Sequence, residues 1–197
     1  MYHPFLVGNR IYLRGFEFED LSREFFQWAN DEEVTRFLFM GERPNIKENL
    51  EEWFQEMRKN QNEVVMIVAD IKNNKSIGFC GLHAIRWVSR NAEYRIFIGD
   101  KSYWNKGIGQ EPAQLLIRYG FEKLNMNKIW LGVNFEHKRA VKSYETSGFK
   151  KEGILREELY RNSKYYDVVR MSILRSEYYS DLKPIWDKEI PNPSESK

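Results

Sequence analysis

Hydrophobic positions in the first sixty residues of this chain follow mostly a helical spacing. The stretch at 11–16 predicts a short strand. Asp20 is a suitable N-cap for a first helix, and Asn45 is a suitable N-cap for a second. The apolar face of the first helix consists of Leu21, Phe25 and Trp28, and that of the second consists of Leu50, Trp53, Phe54 and Met57. This region therefore predicts one strand and two amphipathic helices.

The middle of the chain has the pattern of buried strands. Residues 64–71 are almost continuously apolar, and the pair Asn73 and Asn74 signals a turn. Two further strands are predicted at 76–88 and 92–99. Their polar and apolar positions alternate imperfectly, which is typical of strands that are covered on both faces.

Helices and strands alternate in the remainder. One helical face consists of Ile108, Pro112, Leu115, Leu116 and Tyr119. Pro112 is tolerated only in a first helical turn, so this helix is expected to begin near Gly109 or Gln110. A strand is predicted at 128–134, and a short helix at 139–147 would end at Gly148.

Two final strands are predicted at 149–159 and 165–178, joined by a turn at 161–164. The resulting order of elements predicts a single α/β or α+β domain over residues 1–180. The segment 181–197 contains three prolines and is expected to be a partly disordered tail, frayed beyond Trp186.

Composition excludes several classes of protein. The net charge is only +2, which argues against a dedicated nucleic-acid binder. Cys80 is the single cysteine, so no internal disulfide forms and a reducing compartment is expected. We find no secretory signal and no apolar run near the ~20 residues that a membrane span needs. A cytoplasmic protein is the expectation.

Charge is unevenly distributed along the chain. Residues 1–60 hold twelve acidic and eight basic residues, among them Asp31, Glu32, Glu33, Glu42, Glu51 and Glu52. The basic remainder includes Lys106, Lys138, Arg139 and Lys142. Two interpretations stay open: solvated helix faces, or one surface that attracts a cation and another that suits phosphates.

Gly107 and Gly109 lie between a predicted strand and a predicted helix. Glycines there let backbone N–H groups approach an anion, although turn geometry alone would also explain them. A P-loop is excluded because no Gly-Lys-Ser/Thr sequence is present. A dinucleotide fingerprint is excluded because Pro112 occupies the position of its third small residue.

The loop at 104–110, Trp-Asn-Lys-Gly-Ile-Gly-Gln, resembles the Gln/Arg-x-x-Gly-x-Gly/Ala pyrophosphate loop of GNAT acyltransferases. Residues 93–99 resemble the fourth strand of that family, and residues 140–149 resemble its Ala-x-x-x-Tyr-x-x-x-Gly-Phe helix. The segment 164–171 also looks like the family, so the resemblance covers roughly residues 8–180. Within the family, the chain looks most similar to ribosomal-protein N-terminal acetyltransferases and to spermidine acetyltransferases.

This resemblance implies a GNAT-like mixed sheet of six to seven strands, splayed between the fourth and fifth and flanked by about four helices. It implies direct transfer of an acetyl group from acetyl-CoA to a primary amine in a ternary complex, with no metal. A polyamine, a protein N-terminus or an aminoglycoside would suit as acceptor, while nucleic acid and membrane partners are not expected. A homodimer is the commonest assembly for such a chain.

The resemblance also implies roles for individual residues. Tyr144 is the predicted general acid for the departing thiolate. Glu93 is the predicted base, although it would equally serve as a substrate contact or pair with Arg95 or Arg86. The predicted cofactor-binding residues are Ile96, Phe97, Ile98, Trp104, Asn105, Lys106, Gly107, Ile108, Gly109, Gln110, His137 and Arg139.

Three residues depart from the family pattern: Trp104 in place of Gln or Arg, Pro112 in place of Ala, and His137 in place of Asn. His83 is interpreted as a strand-face residue and Cys80 as an inert thiol, and the histidines have no zinc-binding spacing. Two alternatives to the enzyme remain: a non-catalytic acyl-CoA-binding or regulatory module on the same fold, and a nucleotide-binding protein.

Overall fold

The computed structural model describes residues 3–181, which fold around one eight-stranded sheet. The strands are β1 (Leu6–Val7), β2 (Ile11–Gly15), β3 (Val64–Asp70), β4 (Ser76–Arg86), β5 (Asn91–Ile98), β6 (Lys128–Asn134), β7 (Lys150–Arg161) and β8 (Lys164–Leu174). Their order is β1-β2-β3-β4-β5-β6-β8-β7, and every neighbouring pair is antiparallel except β5 and β6. The predicted mixed α/β sheet is therefore confirmed, with the short β1 as an additional strand.

Six α-helices flank this sheet within residues 3–181, two more than predicted. They are α1 (Arg23–Ala29), α2 (Glu32–Thr35), α3 (Lys47–Lys59), α4 (Gln110–Glu122), α5 (Lys138–Thr146) and α6 (Arg175–Asp181). Three 3-10 helices lie at Phe18–Asp20, Phe39–Glu42 and Lys101–Tyr103. The helix α4 begins at Gln110, as Pro112 in its first turn predicts.

The sheet separates two hydrophobic clusters. One cluster, on the α4 face, contains Leu115, Leu116 and Phe121 together with Val141 of α5 and Tyr178 of α6. The other, on the α1–α3 face, contains Phe25, Phe54 and Phe97. Because the central strands are covered on both sides, β3 is buried continuously from Met66 to Ala69. This double burial explains why their sequences do not alternate cleanly.

The predicted cap of the first helix is wrong. Asp20 lies in a 3-10 helix, and its two carboxylate oxygens accept from Arg14 at 2.6 Å each. Ser22 caps α1 instead, by accepting from the N–H of Phe25 at 3.3 Å. The buried, two-point bond to a guanidinium is stronger than a cap to a neutral amide, and it holds the carboxylate away from the helix.

The predicted cap of the second helix is also wrong. The N-cap of α3 is Ile46, and the side-chain amide of Asn45 donates to the carbonyls of Ala29 at 2.8 Å and Met40 at 3.0 Å. Asn45 therefore ties the end of α1 to the following loop, because those carbonyls have no helical N–H to accept from.

The C-terminal hairpin is confirmed, but the last strand is shorter than predicted. Asn162 and Ser163 both have positive φ, 48° and 62°, as a tight two-residue turn requires. The strand β8 ends at Leu174, and α6 replaces the rest of the predicted strand because Tyr178 packs against Phe121. The predicted tail beyond Asp181, including Trp186, lies outside the described residues.

Candidate active site

The two parallel strands β5 and β6 pair only at their beginnings. Three residue pairs join them, from Asn91 opposite Lys128 to Glu93 opposite Trp130. Both strands then continue, β5 to Ile98 and β6 to Asn134, without further pairing to each other. The predicted splay between the fourth and fifth strands of the family is confirmed. Because β1 is an additional strand here, these two strands are β5 and β6.

Backbone direction in β5 follows from its register with β4. The N–H of Gly99 donates to the carbonyl of Ile77 at 3.0 Å, so odd-numbered residues of this stretch bond to β4. Even-numbered residues then direct their N–H and C=O groups into the splay. The predicted pantetheine contacts of Ile96 and Ile98 fit this register, whereas the backbone of Phe97 faces β4.

Trp104 closes the end of β5. Its indole Nε1 donates to the carbonyl of Ile98 at 2.9 Å, which satisfies a backbone acceptor that would otherwise face the splay. The tryptophan therefore binds the strand, where the family pattern has a polar side chain. Beyond Tyr94, the N–H of Ile98 and both backbone groups of Ile96 have no bonding partner among the described residues and are left for a ligand.

The glycine loop presents backbone amides at the mouth of α4. Asn105 and Gly107 have positive φ, 61° and 67°, and Gly109 is the N-cap of α4 with no side-chain cap. Ile108 is buried and anchors the loop in the core. A helix N-terminus whose amides lack a side-chain partner favours an anion through hydrogen bonds and the helix dipole.

The structure brings Arg139 to this loop. A nitrogen of its guanidinium donates to the side-chain oxygen of Asn105, so two predicted cofactor-binding residues meet across 34 positions of sequence. Lys106 and Gln110 flank the same mouth, and Lys106 is exposed. The loop and the start of α5 therefore form one basic edge, as phosphate binding requires.

His137 lies at the start of α5. It is the N-cap of α5 but makes no side-chain cap bond, and its ring stacks on Phe37 with centroids 4.4 Å apart. Burial lowers the pKa of His137, and Arg139 and Arg36 lower it further. A neutral ring therefore joins α5 to the segment after α2.

The turn after α5 fixes the position of Tyr144. Gly148 has φ 95°, and the N–H of Phe149 donates to the carbonyl of Tyr144 at 3.0 Å. This is the 6→1 bond of a Schellman cap, as the predicted glycine stop requires. The Tyr144 ring contacts Phe149 and Tyr94, the latter with centroids 6.3 Å apart. Burial raises the pKa of Tyr144 to about 12.

Glu93 and Arg95 lie on the opposite face of β5, the face that α1–α3 cover. They share that face with Phe97 because side chains alternate along a strand. Arg95 donates to Glu93 at 2.6 Å, and the Glu93 side chain is 16% exposed. The ion pair that the sequence left open is therefore formed, beside the start of the splay.

His83 lies opposite Glu93 in the register. Its Nδ1 is 3.5 Å from a carboxylate oxygen of Glu63, and its Nε2 is buried without a hydrogen-bond partner among the described residues. A Cβ on Gly81 would come within 2.8 Å of that Nε2, so the imidazole fills space that this glycine leaves. Burial and Arg95 lower the pKa of His83 to about 4, which makes it neutral at pH 7.

Residues 3–181 hold neither a reactive cysteine nor a metal site nor a membrane-spanning helix. Burial raises the pKa of the Cys80 thiol, so it is inert as predicted. No cluster of His, Cys, Asp and Glu in this part of the chain has the arrangement of a metal site. None of its helices is both long and apolar enough to cross a membrane.

The local sequence pattern does not predict a pair of residues behind the loop, Arg10 and Glu111. The Arg10 guanidinium donates to the carbonyls of Lys106 and Gly107, and the Glu111 carboxylate accepts from Arg10. The two residues are 101 positions apart, so no local spacing reveals them. The only signal was a carboxylate in the first turn of α4.

Most of the chain is similar to known acetyltransferases. It matches the Acetyltransferase (GNAT) domain family over residues 10–150. It is 33% identical over 172 residues to the spermidine N(1)-acetyltransferase of Vibrio cholerae, which covers 87% of this chain and 97% of that protein. It is 32% identical over 176 residues to the same enzyme of Escherichia coli K12, covering 89% of this chain and 92% of the relative.

The fold is similar as well. The crystal structure of the Vibrio cholerae spermidine N-acetyltransferase in complex with CoA and spermine superposes with a TM-score of 0.79 at 33% identity. The match covers 86% of this chain and 98% of that one. The predicted family, enzyme class and acetyl-CoA co-substrate are confirmed. The chain is therefore a member of the GNAT acetyltransferase family and an acetyl-CoA-dependent N-acetyltransferase.

Proposed function

We propose that this enzyme transfers the acetyl group of acetyl-CoA directly to a primary amine of a polyamine, in a ternary complex, with Tyr144 as the general acid. The observation that carries the proposal is the position of Tyr144. Its ring contacts Tyr94, the first residue of β5 beyond the last pair with β6. Within residues 3–181 its hydroxyl has no hydrogen-bond partner, so it is available to a group in the splay.

The residues around the splay fit acetyl-CoA. The amides at the mouth of α4 and the basic edge formed with Arg139 suit the pyrophosphate. The backbone groups of Ile96 and the N–H of Ile98 suit the amide-rich pantetheine arm. The bound molecule supplies an activated acyl thioester, and the chain supplies alignment, proton transfer and stabilisation of charge.

Bonds and protons balance in a direct transfer. The neutral amine attacks the thioester carbonyl, so a C–N bond forms and the C–S bond breaks. A backbone N–H of Ile96 or Ile98 stabilises the negative charge that develops on the carbonyl oxygen. The departing thiolate takes the proton of Tyr144, and the amine loses its own proton to Glu93, directly or through water. The proton on Glu93 then returns through solvent to the Tyr144 phenolate, which restores both groups.

Glu93 is testable as the base. An alkylamine with pKa ~10.4 arrives protonated at pH 7, so a base contributes most there. We expect Glu93→Gln to lower kcat/KM about 100-fold at pH 7, and we expect the deficit to shrink as the pH approaches 10. Rate profiles between pH 6.5 and 10 measure this. A deficit that stays constant across the range would assign Glu93 to substrate contact instead of proton removal.

Two carboxylates on the face of the sheet that α1–α3 cover favour a cationic acceptor. Burial raises the pKa of Glu63, and its neighbour His83 is neutral at pH 7. A bound ammonium group would relieve the cost of that partly buried charge. Glu93 lies on the same face of the sheet, so two carboxylates stand on either side of His83.

The acidic N-terminal region contributes less to this preference than its composition suggests. Lys101 pairs with Asp31 at 2.8 Å and with Glu33 at 2.7 Å, and Arg161 pairs with Glu42 at 2.7 Å. Lys101 and Arg161 therefore offset several of the negative charges that the sequence places in this region. The proposed polyamine acceptor rests on Glu63 and Glu93 and on the two spermidine acetyltransferases among the relatives.

A thiol-release assay with acetyl-CoA tests the acceptor. The panel holds spermidine, spermine, Ala- and Ser-starting peptides, an aminoglycoside and an amino sugar. We expect kcat/KM for the polyamines to exceed that for the peptides at least about 100-fold, since a partly buried Glu63 carboxylate that faces a neutral imidazole disfavours acceptors that lack a second cation. Higher activity with a peptide would move the proposal to a protein N-terminus, and silence with CoA still bound would favour a binding module. The predicted homodimer stays a prediction.

A further inference from the structure

A guanidinium holds the back of the glycine loop. Arg10 follows β1 in the turn before β2, and its Nη1 donates to the carbonyl of Lys106 at 2.8 Å. Its Nη2 donates to the carbonyl of Gly107 at 3.0 Å. Two consecutive carbonyls of the loop are therefore bound by one rigid, planar group that is almost a hundred residues away in sequence.

Binding these carbonyls sets the direction of the loop amides. In a trans peptide the C=O and N–H of one peptide group point in opposite directions. The N–H of Gly107 belongs to the Lys106 peptide group, and the N–H of Ile108 belongs to that of Gly107. Both amides therefore point away from Arg10, and Gly107 can adopt this arrangement at φ 67° without a steric cost.

Glu111 holds Arg10 in place. The carboxylate, whose side chain is 7% exposed, accepts from the backbone N–H of Asn9, from that of Arg10 at 2.9 Å and from the Arg10 Nε at 3.4 Å. A Cβ on Gly8 would lie 2.0 Å from a carboxylate oxygen of Glu111, so the turn leaves room for the carboxylate only because residue 8 is glycine.

The same pair decides the charge at the mouth of α4. Glu111 is the second residue of α4, and an unpaired carboxylate there would repel an incoming anion. The guanidinium of Arg10 offsets this charge while the carboxylate stays buried behind the loop. Without Arg10, the N–H groups of Gly107 and Ile108 would no longer be held in one direction. The carboxylate of Glu111 would also remain as a buried negative charge near the anion site.

We propose that Arg10 is a positioning residue for acetyl-CoA: by binding the carbonyls of Lys106 and Gly107, it aims the loop amides at the pyrophosphate and neutralises Glu111. The inference rests on the proposed role of the loop as the pyrophosphate site. Arg10 acts through the loop and is not a catalytic residue, so it is expected to affect binding of the donor and not the acetyl-transfer step.

The test compares two acyl donors, acetyl-CoA and S-acetylpantetheine, of which the second lacks the pyrophosphate. We expect Arg10→Met to lower kcat/KM for acetyl-CoA about 30-fold through KM, with kcat unchanged, because hydrogen bonds to a charged group and a neutralised carboxylate are lost. The kcat/KM for S-acetylpantetheine is expected to stay at the wild-type value. Without an active acceptor, equilibrium binding of CoA and of pantetheine gives the same comparison.

Matched variants keep the result interpretable. Arg10→Lys keeps the charge but cannot bridge two carbonyls, so an intermediate loss is expected. Arg156→Met removes the same charge from the exposed strand β7 and is expected to leave both donors unaffected. If Arg10→Met does not fold, Glu111→Gln replaces it, since this amide keeps the shape but weakens the hold on Arg10, and the same loss confined to acetyl-CoA is expected.

Two contrary outcomes are distinguishable. Equal losses with both donors would mean that Arg10 only supports the fold, which overturns the inference and leaves the proposed function standing. A wild-type enzyme that uses acetyl-CoA no better than S-acetylpantetheine would show that the loop does not bind the pyrophosphate, and the inference would fail together with that assignment.

Discussion

Replacement of Tyr144 by phenylalanine is expected to lower kcat about 100-fold and to leave KM for acetyl-CoA unchanged. The substitution removes one hydroxyl and keeps the ring that packs on Tyr94 and Phe149. General acid catalysis contributes about 10²–10⁴-fold, and without it the thiolate must leave unprotonated. Binding of the donor depends on the loop and the strand backbone, which the substitution does not touch.

Steady-state kinetics with the best acceptor of the panel measure this effect. Tyr165→Phe is the matched control, because Tyr165 is an exposed tyrosine of β8 outside the splay, and its removal is expected to leave kcat unchanged. A wild-type kcat in Tyr144→Phe would remove this residue from the mechanism. A raised KM with wild-type kcat would instead assign the hydroxyl to donor binding.

The raised pKa of Tyr144 changes how the proton transfer must be described. At a pKa of about 12 the phenol stays protonated through pH 10, so it is in the acid form wherever the amine reacts. Transfer to a thiolate whose conjugate acid has a pKa near ~8.5 would be uphill in water. Burial beside Tyr144 would also raise the pKa of the coenzyme A thiol, so the difference between the pKa values of the phenol and the thiol becomes smaller. Below pH 10, Tyr144 is therefore not expected to lose its proton, and the activity of the wild-type enzyme is not expected to fall for that reason.

The second large effect concerns the close approach of β4 to β5. A Cβ on Gly78 would lie 2.0 Å from the carbonyl oxygen of Phe97 and 2.9 Å from the Cα of Ile98. The obstacle is backbone, so it cannot rotate aside as a side chain can. We expect Gly78→Ala to lower the free energy of unfolding by about 3 kcal/mol, since the sheet must open to accept the methyl group.

This change is also expected to raise KM for acetyl-CoA. The methyl group would displace the backbone of Phe97 and Ile98, and the N–H of Ile98 is one of the proposed donor contacts. Denaturant unfolding and donor kinetics measure the two effects. Gly15→Ala is the control: a Cβ at Gly15 meets no atom within 4 Å, so stability and KM are expected to stay at wild-type values. Equal behaviour of the two variants would contradict the close approach of the strands at Gly78.

The loop and the α5 helix show what sequence alone determines well. Gly107 and Gly109 predicted a turn between a strand and a helix, and Pro112 predicted where α4 begins. The pattern from Ala140 to Phe149 predicted both the helix and its glycine stop. These features depend on backbone preferences of residues that are close in sequence, so local chemistry decides them.

Helix caps and chain ends were less predictable because tertiary partners compete for the same groups. Asp20 could cap α1 on local grounds, but Arg14 takes its carboxylate. Asn45 could cap α3, but distant carbonyls take its amide. Residues 175–178 were predicted to continue the last strand, but Phe121 provides a surface on which Tyr178 of α6 packs.

The sequence by itself determined the order of most elements, the family, and the residue types that meet at the splay. Only the tertiary structure decided which backbone edge each residue of β5 presents, that Trp104 donates to the carbonyl of Ile98, and that Arg10 and Glu111 support the loop. The physical reason is that strand register and long-range hydrogen bonds depend on which groups folding brings together. Those partners lie up to about a hundred residues apart, far beyond the range of any local preference.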